Sequence, residues 1–177
     1  EMSILYNYFY EHDSADENNY SVCVLFSQGD RHFLFTGDLE EEGEEYLVQY
    51  NDLPQVELFK AGHHGSKTSS NECLLEVIRP KIVCVCCCAG TDEYTDIKEN
   101  QFPTQAMIDR IAPYTDAVYV TSQFADNGDG YTSMNGNIVV TSSAGSNVTV
   151  RGSVNDVKLK DTAWFLENRT MPQAWAA

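Results

Sequence analysis

Between residues 31 and 88 the chain alternates between short β-prone apolar runs and stretches of helical length. "RHFLFTG" (31–37), "VELFKA" (56–61) and "KIVCVCCC" (81–88) read as strands. A helix over about 39–50 and a second over "NECLLEVIR" (71–79) lie between them. Strand, helix, strand, helix, strand in this order requires a parallel sheet with right-handed crossovers. The fold class is therefore α/β.

The flanks extend this unit. "MSILYNYFY" (2–10) reads as an aromatic-rich strand and 11–19 as a polar loop. "YSVCVLF" and "RHFLFTG" flank "SQGD" and predict a hairpin. In the first helix Leu39, Tyr46, Leu47 and Tyr50 form a sparse apolar stripe with acids opposite. Ser69 or Ser70 is the expected cap of the second helix, and Pro80 ends it. A helix over about 104–113 follows Pro103, and "AVYVTS" (117–122) is a further strand. Residues 125–136 are rich in Gly, Asp and Asn and read as loop. "GNIVVTS" and "NVTVRGS" predict a C-terminal β-hairpin across "SAGS". In the tail, Trp164 and Phe165 are expected to anchor the chain to the body, with the last few residues fraying.

Composition bounds the function classes. At 177 residues and 42% hydrophobic, the chain suits one domain, 1–177, with a proper core. No apolar run approaches membrane-spanning length. A first residue of Glu1 rather than Met leads us to expect an excised piece of a longer protein. The net charge of -16 repels nucleic acid and anionic membranes unless cations intervene. Six acids lie in "GDLEEEGEEY" (37–46), whose ordinary reading is a solvated helix face. Four of the six cysteines lie in "VCVCCCAG" (83–90) without the spacing of a zinc site. They read as small hydrophobes of a buried strand, and no disulfide framework is expected.

Ligands of an open α/β sheet bind beyond the carboxyl ends of its strands. Two loops leave such ends. "TGD" carries Asp38, and "GHHGS" carries His63 and His64. If the strands are neighbours, a carboxylate and an imidazole meet at one sheet edge, a donor set that zinc, manganese or iron accepts. Ser66 and Lys67 follow, offering a hydroxyl and a cation suited to a phosphate. Taken singly, Asp38 is an ordinary helix cap and a histidine pair in a loop is ordinary surface. His12 and His32 stand alone and read as bystanders.

Together, "FLFTGDLEEEGEEYL" (33–47), "VELFKAGHHGSKTSS" (56–70), "PKIVCV" (80–85) and "NQFPTQAMIDRI" (100–111) resemble the metallo-β-lactamase superfamily. The resemblance is to its branch that includes the DNA-uptake competence protein ComEC, and it covers about 19–141. It implies a four-layer αββα sandwich, of which this chain would be the C-terminal half. That half would be a mixed sheet with helices on one face, extended by the 142–177 hairpin and tail. It also implies a metal-dependent hydrolase of phosphodiester or related ester bonds, using a metal-activated water at two zinc or manganese ions. Asp38 would bridge the metals and His63 would be the last histidine ligand, with His64 the alternative or a partner behind it. Catalysis would then fall to Asp38 and His63, with Ser66 and Lys67 holding the phosphate.

The family's H-x-H-x-D-H motif is absent from these 177 residues. A site short of ligands predicts little activity in isolation, and no metal bound by this piece alone. The expected partner is the N-terminal half of the same domain, with nucleic acid engaged only by the complete enzyme. An exposed inner sheet face would otherwise favour a homodimer. Two other readings compete. One is a metal-free interaction module that kept the fold. The other is a mononuclear enzyme using Asp38, His63 and His64, which adjacent histidines on an extended chain disfavour. The compartment is left open between bacterial cytoplasm and the extracytoplasmic face.

Overall fold

Sheet order equals chain order in this protein. The computed structural model describes residues 1–125, 130–133 and 136–176. Its main sheet runs β1 (Met2–Ile4), β2 (Val24–Gln28), β3 (Arg31–Phe35), β4 (Leu58–Lys60), β5 (Ile82–Ala89), β6 (Val118–Ala125), β7 (Gly130–Ser133), each beside the next. Strands β3 to β6 are parallel, and the outer pairs β1–β2, β2–β3 and β6–β7 are antiparallel. The expected mixed sheet and the hairpin across residues 27–30 are thus both present.

The parallel crossovers carry α1 (Glu41–Tyr50), α2 (Glu72–Ile78) and α3 (Gln105–Ile111). Strands are added in one direction only, so right-handed crossovers put all three helices on the same face. The main core lies there. Leu34, Phe59, Val83 and Val120 from the strands meet Leu47, Leu75, Ile78 and Ile108 from the helices. Each such side chain contributes about 1.5–3 kcal/mol on full burial. A short α4 (Ala163–Asn168) adds Trp164 and Phe165 to this core, as the tail's aromatics predict.

The other face is covered by a two-stranded hairpin of β8 (Ile138–Thr141) and β9 (Thr149–Gly152). Ile138, Val140, Val148 and Val150 pack on a second cluster of Leu58, Ile82, Cys84 and Tyr119. The tip is latched to the β2–β3 turn. Arg31 donates to Ser142 Oγ at 3.0 Å, to the Ser143 carbonyl at 2.9 Å and to the Ser146 carbonyl. The bare inner face expected from the sequence is therefore narrowed to a strip at the β1 edge. Met2, Ile4 and Phe26 stay 60%, 65% and 41% exposed there.

Five local expectations need correction. The strand over 2–10 stops at Ile4, and Tyr8–Tyr10 is a 3-10 turn. Buried Asn7 makes that turn: its Oδ1 accepts from Phe9 N, while its Nδ2 donates to the Asn19 and Ser21 carbonyls. In the predicted 125–136 loop, Gly130–Ser133 pairs with β6 as a strand, while 126–129 and 134–135 lie outside the described residues. The cysteine run is buried only in its first half. A bulge between Val85 and Cys88 breaks the alternation, leaving Cys86 exposed and Cys87 and Cys88 half-buried. Neither Ser69 nor Ser70 caps α2; Asn71 occupies that position, for a reason given below. The C-terminus does not fray at Trp175, which is 4% exposed and donates Nε1–H to the Thr115 carbonyl at 2.8 Å.

All six cysteines are free thiols. Among the described residues, no helix is long and apolar enough to cross a membrane.

Candidate metal-binding edge

Parallel pairing of Phe35 with Lys60, and of Lys60 with Cys84, aligns the carboxyl ends of β3, β4 and β5. The loops that follow β3 and β4 therefore meet. His63 N donates to the Gly37 carbonyl at 3.1 Å, joining the two loops directly. Gly37, at φ +60, turns the first loop tightly against Ser21, whose Oγ accepts from Asp38 N at 3.0 Å. A Cβ on Gly37 would sit 2.9 Å from that Oγ.

Asp38 and His64 face each other at this edge. Asp38 Oδ2 lies 3.7 Å from His64 Nε2, and both side chains are 37% exposed. The other ring nitrogen, His64 Nδ1, is 2.7 Å from the Cys86 carbonyl. A carbonyl only accepts, so Nδ1 carries the hydrogen. In the neutral ring, Nε2 then points a lone pair towards a carboxylate. That juxtaposition is stabilised by a cation between them, either a proton or a metal ion. Backbone anchoring of the far nitrogen is also how metal-bound imidazoles are oriented.

His63 has a different setting. Its Nδ1 lies 3.2 Å from Glu40 Oε1, which also accepts from Thr68 Oγ1 at 2.9 Å. The two rings are 6.4 Å apart at 70° and serve different partners. The backbone here is left-handed rather than extended, with φ +43 at His63 and +55 at His64. Such conformations cost of order 1–3 kcal/mol for residues other than Gly and need enforcement by their surroundings. A buried carboxyl and a half-buried guanidinium supply that enforcement. Glu44, 0% exposed, accepts from Ser70 N at 2.7 Å, from Asn71 N at 2.8 Å and from Asn71 Nδ2 at 2.9 Å. Arg110 donates to the carbonyls of Lys67, Ser69 and Ser70. One charged group thus takes the loop's N–H groups and the other its C=O groups. Glu44 also supplies the α2 cap that the serines were expected to provide. It was read as solvated because it sits within a run of acids.

Lys60 Nζ stands 4.0 Å from Asp38 Oδ1. Phe102 covers both imidazoles, with ring centroids 5.9 Å from His63 and 6.4 Å from His64. Ser66 is buried, with its hydroxyl 3.0 Å from Thr68 Oγ1, and Lys67 Nζ donates to Asn100 Oδ1 at 3.0 Å. Glu40, Lys60 and Phe102 lie within the stretches that carry the family resemblance, but no spacing marks them as residues of the site.

Residues 12–89 match the metallo-β-lactamase superfamily. The match covers less than half of the chain. The metallo-β-lactamase match spans β2 to β5 and contains Asp38, His63 and His64. Recombination protein 2 of Haemophilus influenzae is 30% identical over 106 residues, which is 60% of this chain and 12% of that protein. ComE operon protein 3 of Bacillus subtilis is 36% identical over 69 residues, 39% of this chain and 9% of the relative. Competence protein ComA of Neisseria gonorrhoeae is 30% identical over 102 residues, 57% of this chain and 14% of the relative. The matched stretch is therefore a small part of each relative, and the likeness is to the ComEC-like branch.

Superfamily members typically bind divalent metals. The Asp38–His64 pair has the donor types for one, carboxylate oxygen and imidazole nitrogen. Among the described residues, however, no group of three His, Cys, Asp or Glu side chains is placed to hold a metal ion. A catalytic zinc takes three protein ligands. These residues fit as part of a ligand set and do not complete one.

Proposed function

We propose that this domain forms one side of a metal-dependent hydrolytic centre acting on phosphodiester or related ester bonds. The observation that carries this reading is Asp38 Oδ2 at 3.7 Å from His64 Nε2, with the other ring nitrogen, Nδ1, 2.7 Å from the Cys86 carbonyl. Asp38 and His64 would be ligands, and His63, braced by Glu40 and Thr68, would hold the loop or join the ligand set. Two zinc or manganese ions would complete the site with donors from beyond these residues. Those donors would come from a further half of the same domain or from a second copy across the sheet. When bound, the metal supplies a water of lowered pKa and a Lewis acid for the ester oxygen. Asp38 and His64 orient that group, Phe102 shields the imidazoles from water, and Ser66 and Lys67 are the candidates to hold a phosphate. The names of the relatives, recombination and competence, favour a nucleic-acid ester. A net charge of -16 makes such binding depend on cations.

Calorimetric titration of zinc and manganese into the metal-stripped chain tests this. Weak binding is expected for this chain alone, lost in both Asp38→Ala and His64→Ala and reduced less in His63→Ala. Binding that ignores the first two substitutions would sink the proposal. A metal-free interaction module is the second reading, favoured by the lack of a third ligand among the described residues. Its mark would be no measurable metal affinity together with unchanged folding in Asp38→Ala.

A further inference from the structure

The outer side of α1 carries a stack of aromatic rings. Tyr46 and Tyr50, one turn apart, lie against Tyr8 of the N-terminal 3-10 turn, with ring centroids at 4.2 Å and 5.8 Å and planes 24° and 9° from its own. His12 stacks on the same Tyr8 at 3.7 Å and 7°. Tyr6 ends the row, edge-on to Tyr50 at 5.7 Å and 74°. Two backbone clamps fix it. Asn51 accepts from Tyr6 N at 3.0 Å and donates to the Tyr6 carbonyl at 2.9 Å, and His12 Nδ1 lies 3.0 Å from the Tyr8 carbonyl. Tyr6 and Tyr50 stay 39% and 48% exposed, so ring surface is held towards solvent while Leu47 and Glu44 fill the inner side of the helix.

The charge around the rings has one sign. Glu11 accepts from the Tyr6 hydroxyl at 3.1 Å. Glu42, one turn before Tyr46, and Glu45 beside it are both exposed. Among the described residues no lysine or arginine pairs with any of these three carboxylates. The first fifty residues hold twelve acids against a single Lys or Arg, Arg31, which is tied to the hairpin. The last turn of α1 carries no basic residue either, so the negative end of its dipole adds to the field. Ring faces attract cations through their quadrupole, and a guanidinium stacks flat on them. Rings fixed beforehand lose little conformational freedom when a ligand is laid on them.

The position of the stack narrows what can cover it. Helix α1 stands on the helical side of the sheet, so a further half of the domain laid on the hairpin side leaves these rings open. A second copy is a poor occupant, because two chains of net charge -16 repel each other.

We propose that this stack is the docking surface for an arginine-rich segment of a protein partner, with guanidinium planes laid on Tyr6 and Tyr50 and their charge met by Glu11, Glu42 and Glu45. The inference is independent of the hydrolytic reading, and binding to the metal-stripped chain decides it separately.

The test is titration of an alternating Arg-Gly peptide into that chain, followed by heteronuclear NMR at physiological salt, where distant charges are screened. A Lys-Gly peptide of the same length is the charge-matched control. Shifts should cluster at Tyr6, Glu42, Tyr46 and Tyr50, and the arginine peptide should bind about tenfold tighter than the lysine peptide. Tyr50→Ala should bring the arginine peptide down to the affinity of the lysine peptide. Tyr50→Leu, which keeps apolar bulk without a ring face, serves in its place should the alanine variant fail to fold. Glu42→Gln combined with Glu45→Gln should weaken both peptides. Asp92→Asn combined with Glu93→Gln, two acids of the loop after β5, should change neither. Equal affinity of the two peptides, shifts spread over the acidic surface, or an equal loss in the loop variant would mean attraction to bulk charge and would overturn the proposal. Absence of binding at millimolar peptide would overturn it as well. So would broadening of the same resonances with protein concentration alone, the sign of a second copy seated there.

Discussion

The carboxylate of Glu44 holds Asn71 by both backbone and side chain, accepting from N at 2.8 Å and from Nδ2 at 2.9 Å. This link joins helix α1 to the start of α2 and, through Ser70, to the loop bearing both site histidines. Removing it leaves buried N–H groups without partners. Each such group costs about 1–3 kcal/mol. Glu44→Ala should therefore lower stability by about 3 kcal/mol, read as a lower urea midpoint at unchanged slope.

The same residue gives a pH dependence. Burial pushes the Glu44 carboxyl from an ordinary 4.5 up to about 7, against the lowering effect of Asn71, Ser70 and Arg110. A raised folded-state pKa means that the native chain binds more protons than the unfolded chain between these values. Stability from this group is thus full below about 4.5 and is lost as pH rises towards about 7, at no more than about 1.4 kcal/mol per pH unit. Urea melts from pH 4.5 to 8 should show this decline, and Glu44→Gln should flatten it.

Arg79 ends α2 with φ +38, a left-handed cap that glycine adopts without strain. Arg79→Gly should stabilise by about 0.5–1 kcal/mol in thermal melts. No change or a loss would show that its bond to the Glu76 carbonyl outweighs the strain.

Arg31 is the latch of the β8–β9 hairpin. Arg31→Ala should speed amide exchange and protease cleavage across 138–152 by an order of magnitude or more while leaving the α1–α3 face protected. Uniform acceleration over the whole chain would contradict a separable hairpin.

Thiol chemistry should separate the cysteines. Cys86 is exposed, while burial pushes the Cys23 and Cys84 thiols up to about 12. A thiolate-directed reagent at pH 8 should label Cys86 first and those two only on unfolding, as peptide mapping would reveal.

The sequence carried the repeating unit well, because strands at 31–37, 56–61 and 81–88 alternate with helices whose crossovers admit one hand. Asp38 falls beside the paired histidines because β3 and β4 are neighbours, the condition on which the sequence reading depended. Local reading went wrong where a single side chain rewrote the backbone, as Asn7 did in the N-terminal run. It also went wrong where one charge left the company of its neighbours, as Glu44 did within the acidic run. Which histidine faces Asp38 was not legible either, since it depends on two left-handed residues and on the Cys86 carbonyl. The β5 bulge likewise follows from no spacing, yet it exposes Cys86 and turns the wall of the site.

Because each strand of the main sheet is laid beside its predecessor, the sheet can assemble by accretion at one growing border. A nascent chain would find a partner in place for every strand as it appears, with no gap held open for a later insertion. The hairpin must travel back furthest across residues already ordered, from 142–146 to Arg31. Its contacts have the longest loop to close and should form last. The hairpin would then close over a sheet whose edge chemistry was in place several steps before.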